Sequence, residues 1–295
     1  MNRKKNILRL SLVIVAITVV AAPLVYNYYM ISQAEQERLA KEAEWKKQFT
    51  LASMSLSAPL DYAQTNYMDA ATMLRQVYEG LVVYDKGEIK PSLAASWVVS
   101  PNGLTYTFNL RKGVRFHDGT PFNASCVKFS FERYMKIGKG NQAYFNAVKE
   151  VKVVDDFTVQ FVLGSPYGPL LNAFAMMFGH WVVSPTYVLK HEEKGDLAEK
   201  WMRENACGTG PYKVKQFKFG ESFIAEKFGE YWGGWKGPHV ETLVLKVVKE
   251  PSSQRIMLEK GEIDAAEQIL YEDYSIMEKS QGYRVIKPEK GMVIS

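Results

Sequence analysis

With 295 residues, 47% of them hydrophobic, the chain can hold one large or two ordinary domains with ample core. Its formal charge is +5, but Arg3, Lys4, Lys5 and Arg9 supply four of those positives within residues 1–31, where there is no acid. The remainder is close to neutral, which excludes a nucleic-acid footprint.

Residues 1–31 have the order of a secretory or anchoring segment: a basic start, an apolar run from Leu10 to Ala22, then Tyr26, Tyr28, Tyr29 and Met30. A cleaved signal peptide would use Val19 and Ala21 before the cut. Pro23 beside that cut favours an uncleaved anchor instead, as does the apolar length from Leu8 to Met30. By the positive-inside rule its basic end is cytoplasmic. No cysteine follows the apolar run, so a lipoprotein anchor is excluded. Residues 32–48 are rich in Glu, Lys, Gln and Ala and read as a charged helical stalk.

The folded part is expected over residues 49–283. Phe49 to Met54 reads as the first strand, leading into a loop from Ser55 to Asp61. Asp69 is placed as the cap of a helix whose buried stripe is Ala70, Met73, Leu74 and Val77, and Gly80 as its left-handed terminator. In Leu104–Tyr134, Tyr106, Phe108 and Leu110 alternate with polar residues as a half-buried strand requires. Asn123 then caps a helix with Val127, Phe131 and Tyr134 on one face. Val148 to Leu163 alternates on both sides of Asp155-Asp156, a hairpin. A helix carrying Leu170, Leu171, Phe174 and Met177 follows, with Met176-Met177-Phe178 and Trp181 expected as packing before ligand lining. Gly208 and Gly210 precede a strand, Tyr212–Phe219, without the Lys-Ser/Thr pair of a phosphate loop, so they are expected to permit a tight approach. A strand over Thr242–Val248 and a helix over Ser252–Lys260 complete the series.

Four runs carry more than local structure. They are Gln76-Val77-Tyr78-Glu79-Gly80-Leu81-Val82; the stretch from Leu93-Ala94-Ala95-Ser96-Trp97 through Phe116-His117-Asp118-Gly119-Thr120-Pro121 to Phe129-Ser130-Phe131-Glu132-Arg133; Cys207 to Tyr212; and Gly261 to Ala266. At these spacings the chain resembles family 5 of the extracytoplasmic solute-binding proteins, which feed peptide and nickel ABC importers. The resemblance implies an α/β fold, the first lobe of a two-lobed periplasmic-binding-protein-like architecture with a mixed sheet and helices. It also implies that residues 284–295 begin the crossover to a second lobe absent from this sequence, so that the chain is a fragment. The implied function is capture of oligopeptides or dipeptides for ABC permease subunits on the extracytoplasmic face of the membrane, where the anchor read from residues 1–31 would serve as tether. Nickel chelates or oligosaccharides are alternatives within the family, and a membrane-tethered sensor lies outside transport. Met54, Ser55, Tyr67, Glu79 and Trp181 are the candidate ligand-binding residues, on loop position and residue type.

No covalent chemistry, cofactor or metal is expected. His117, His180, His191 and His239 show no metal-ligand spacing, and neither a Gly-x-Ser-x-Gly elbow nor His-Glu-x-x-His occurs, leaving a hydrolase as the remote alternative. His117 is expected to serve a turn and His191 to lie on a solvated helix face. Cys126 stands where the resembling proteins carry aspartate, in the first turn of the capped helix, and is expected to have its thiol pKa lowered there. In an oxidising compartment Cys126 and Cys207 form either one disulfide or two buried thiols.

Overall fold

The computed structural model describes residues 47–66, 68–176, 179–237 and 239–279. The expected anchor 1–31, nearly all of the stalk, Tyr67 and the crossover 284–295 lie outside them. Among the described residues no helix is long and apolar enough to cross a membrane. The elements below belong to one compact unit, residues 47–236 with 240–295; the second unit, residues 1–46 with 237–239, contributes only Gly237 and His239 to the described residues.

Among the described residues, two larger sheets organise the fold. The first is a four-stranded antiparallel sheet, order β4-β5-β7-β6, built from Ala94–Val99, Thr105–Leu110, Thr158–Leu163 and Val148–Asp155. Strand β5 buries Tyr106, Phe108 and Leu110, and β7 buries Val159, Phe161 and Leu163. These residues alternate with partly exposed neighbours because a period of two sends successive side chains to opposite faces. Against that inner face lies helix α2, Ala124–Ile137. The short helix α3, Leu170–Ala175, adds Phe174, whose ring is 4.8 Å from Phe161 and 5.5 Å from Phe108. Asn123 caps α2 by accepting from the Cys126 N–H at 3.1 Å, and Gly138 closes it in the left-handed region at φ 64°.

The second sheet has five strands in the order β11-β1-β10-β9-β8: Ala265–Ala266, Gln48–Ser53, Thr242–Val247, Ser222–Lys227 and Tyr212–Lys218. It is mixed, with β1 parallel to both β10 and β11 and the remaining pairs antiparallel. Parallel neighbours need crossovers, so the first strand is inserted between segments from the far end of the chain. A two-stranded hairpin, β2 (Val82–Asp85) with β3 (Glu88–Pro91), stands between the sheets in sequence. Helix α1 runs Met68–Val77 and buries Met73, Leu74 and Val77; it already includes Met68, so Asp69 sits inside its first turn and not at its cap position. Helix α4 is Pro185–Lys190, α5 Pro251–Glu259 and α6 Tyr271–Lys279.

Among the described residues, one ion pair is fully buried in the core. Arg133, on the buried face of α2, reaches Asp61 with two parallel bonds of 2.9 and 2.7 Å, both side chains fully buried. Its Nε donates to the Leu197 carbonyl at 3.0 Å, and Asp61 also accepts from the Ala63 N–H and Gln64 Nε2. Burial works to lower the guanidinium pKa, but the attraction and hydrogen bonds to Asp61, with the neighbouring tyrosines, together outweigh it and hold the pKa above its ordinary value. Around this pair lie Tyr62, Tyr78, Tyr134, His180 and Trp181, with Tyr62 stacked on Tyr134 at 5.7 Å and Tyr78 on Trp181 at 6.2 Å. Burial pushes the Tyr134 hydroxyl up to about 12.

Candidate functional site

The site is assembled where the C-terminal end of α1 meets two distant segments. After Val77 the chain runs through Tyr78, Glu79 and Gly80, whose backbone is held on both sides: Val182 N–H donates to Glu79 O at 3.0 Å, and Leu93 N–H to Gly80 O at 3.1 Å. Gly80 is not left-handed, contrary to expectation. The approach there is tight: a Cβ would sit 3.1 Å from the His180 carbonyl, where Gly80 forms a bridge with Trp181.

Gly208-Thr209-Gly210 packs directly on the helix end. Gly210 N–H donates to Val77 O at 2.9 Å, while a Cβ on Gly208 would lie 2.1 Å from that same oxygen. Backbone cannot yield as a side chain can. Gly208→Ala is therefore expected to cost about 3 kcal/mol in urea unfolding, at the upper end for overpacking. Alanine at exposed Gly168, which has nothing within 4 Å, should stay within about 0.5 kcal/mol of the parent.

This close approach delivers fully buried Thr209 to the Glu79 carboxylate, Oγ1 donating to Oε2 at 2.8 Å. From the β9–β10 connection, Tyr231 OH donates to Oε1 at 3.0 Å and Trp232 Nε1 to Oε2 at 2.7 Å. Burial raises the Glu79 pKa; the three hydrogen bonds and nearby Arg111 oppose that rise. The Arg111 guanidinium lies 4.7 Å over the Trp232 ring, and its Nε donates to Ser92 O at 2.5 Å. Beside this cluster opens a cleft of about 320 Å³, lined among others by Arg75, Glu79, Ser92, Pro211, Tyr231 and Trp232. A second, apolar cavity of about 260 Å³ lies among Phe49, Leu51, Met73, Phe223, Leu243 and Leu245.

Of the residues singled out in the sequence, Glu79 borders the cleft. Trp181 is 6% exposed and packs in the core on Tyr78. Met54 and Ser55 are exposed beyond the end of β1 and line neither cavity. Sequence reasoning missed Thr209, Tyr231, Trp232 and Arg111 as parts of one site. Its available signal was the carboxylate itself, since an acid placed among Val77, Tyr78, Leu81 and Val82 requires donors from elsewhere.

The cysteines and histidines depart from expectation in part. Cys126 and Cys207 are both free and buried, not joined in a disulfide. Cys126 Sγ faces the Pro121 carbonyl at 3.7 Å, and burial raises its pKa, overriding the helix terminus that was expected to lower it. Burial likewise raises the Cys207 thiol, with the Asp118 carboxylate adding to the effect. His117 Nε2 lies 2.8 Å from Gly210 O, which ties the turn to the glycine segment, and burial lowers its pKa to about 4. His191 is not simply solvated: its ring stacks on Trp201 at 4.3 Å. Among the described residues no group of three or more His, Cys, Asp or Glu is placed to hold a metal.

Residues 88–294 match the family described as bacterial extracellular solute-binding proteins, family 5 middle. The dipeptide-binding protein of Escherichia coli is 33% identical over 281 residues, covering 88% of this chain and 48% of the relative. The chain thus spans about half the length of the curated relatives it matches. Among solved structures, the periplasmic binding protein DppA from Helicobacter pylori, in complex with the peptide STSA, has a TM-score of 0.70 at 29% identity, covering 79% of this chain and 49% of that one. NikZ from Campylobacter jejuni, in complex with Ni(L-His), has a TM-score of 0.68 at 29% identity, covering 80% and 46%.

Proposed function

Because the chain belongs to the family 5 bacterial extracellular solute-binding proteins, we propose that it captures a small solute, a dipeptide or short oligopeptide, for an ABC permease. The observation that carries the peptide reading is the likeness to the Helicobacter protein bound to STSA, supported by the E. coli dipeptide-binding relative. Residues 49–283 are read as one of two lobes that close over the solute, and residues 1–31 as the tether to the extracytoplasmic face of the membrane. A cleft of about 320 Å³ with an aromatic wall and a few polar groups suits a peptide segment. Met54 and Ser55 stay in this reading as exposed candidates after the first strand. Binding alone is involved, without covalent chemistry.

The likeness to NikZ favours a nickel chelate as second reading. In that case the chelate's organic part would make the contacts, since no cluster of metal-ligating side chains is found among the described residues. Calorimetry on the 295-residue chain discriminates these readings. Heat of binding with Ser-Thr-Ser-Ala or dipeptides, and none with Ni(L-His) or oligosaccharides, is the expected result. Binding of sugars or the nickel chelate but not of peptides overturns the peptide assignment.

A further inference from the structure

Glu79 invites a simple assignment, a carboxylate at the rim of the cleft waiting for a cationic group. Its hydrogen bonding argues otherwise. A carboxylate offers about four acceptor sites, and three are occupied from within the chain by Thr209, Tyr231 and Trp232. An arriving ammonium would compete with donors already in place at 2.7–3.0 Å.

The consequence is clearer from the side of Trp232. An indole has one hydrogen-bond donor, and Trp232 spends it on Glu79, which fixes the ring along the N–H···O direction. The Arg111 guanidinium covers the ring at 4.7 Å and is itself held by Ser92 O, so the indole is restrained from its edge and from a face. The Glu79 carboxyl thus meets the ring at its N–H edge and the Arg111 guanidinium over a face. Trp232 also lines the cleft, so it presents there a restrained aromatic surface, a form of contact that costs little conformational entropy on binding.

Resting on the solute-binding reading of the cleft, we propose that Trp232 is the solute-contacting wall and that Glu79 is a positioning residue acting through it. The solute surface it suits is the apolar part of a peptide, a side chain or the flat face of a peptide bond, laid against the indole.

Two measurements on the full chain test this. The six tryptophans give six indole N–H signals in a ¹H–¹⁵N spectrum, and Trp232→Phe identifies one of them by its loss. In ligand-free Glu79→Gln, that signal is expected to move upfield while the other five stay in place. Titration with Ser-Thr-Ser-Ala should shift the same signal in the parent. Trp232→Ala should weaken binding of that peptide about tenfold, a stacking-sized loss, and Glu79→Gln should weaken it less. On the Trp232→Ala background, Glu79→Gln should have no further effect. An unmoved Trp232 signal in Glu79→Gln overturns the positioning role, and an undiminished effect of Glu79→Gln on the Trp232→Ala background assigns Glu79 a direct contact instead. Should the parent bind no peptide, the solute reading fails and the contact with it. The ligand-free spectra would still decide whether Glu79 positions the indole.

Discussion

Replacing Arg133 by methionine is expected to lower the unfolding free energy by about 3–5 kcal/mol, the range for breaking a buried ion pair from one side. Methionine fills much of the space but leaves the Asp61 carboxylate fully buried with only the Ala63 N–H and Gln64 amide as donors. The Leu197 carbonyl loses its donor as well. That matters because Leu197 and Ala198 both sit in the left-handed region, at φ 51° and 55°, which non-glycine residues occupy only when surrounding contacts impose it. Neutralising the other partner should recover part of the loss: Asp61→Asn combined with Arg133→Met is expected to be less destabilised than the two single changes added together. Urea unfolding with unchanged m-values measures this, and a strictly additive pair would mean that the two groups do not act as one unit.

The second large effect is acid sensitivity through two histidines. His180 is buried among Tyr62, Phe131, Tyr134, Phe145 and Phe174, and burial lowers its pKa from 6.5 to about 3; His117 falls to about 4 for the same reason. Each folded histidine stays neutral where the unfolded one takes up a proton. Their contribution to stability is complete above pH 6.5 and is lost as the pH falls through the folded values. Between about pH 6 and pH 4 each should cost up to about 1.4 kcal/mol per pH unit. Glu79 works in the opposite direction: its raised pKa means that the folded state gains relative stability as this one group protonates. Urea midpoints at pH 7.5 and pH 5 should therefore differ strongly in the parent and by about half as much in His180→Phe. An unchanged pH slope in that variant would remove His180 as a source.

What the sequence made legible follows the range of each interaction. Strand β5, the β6–β7 hairpin and the Asn123 cap were readable because alternation, turn residues and capping act within a few positions. The glycines at 208 and 210 were read correctly as allowing close packing, but not against the end of α1. Glu79 receives its donors from residues 130 to 153 positions away, and no local pattern ties them together. Arg133 looks like an ordinary charged member of a helix until Asp61, 72 positions earlier, turns out to share its buried site. Cys126 shows a different failure: the electrostatic argument was sound locally, and desolvation outweighed it.

The parallel pairing of β1 has a consequence for how the molecule is made. Thr50 N–H is bonded by Asp264, 214 residues away in sequence, and β1 is flanked on both sides by strands translated near the far end of the described chain. Loop closure over such a span penalises early formation, whereas the β4-β5-β7-β6 sheet draws on residues 94–163 alone. Synthesis therefore allows the antiparallel sheet to collapse around its phenylalanines first. Meanwhile β1 waits with both hydrogen-bonding edges open until residues 242–266 have left the ribosome. During that interval its open edges are exposed to mispairing, which is what a holding chaperone would protect against.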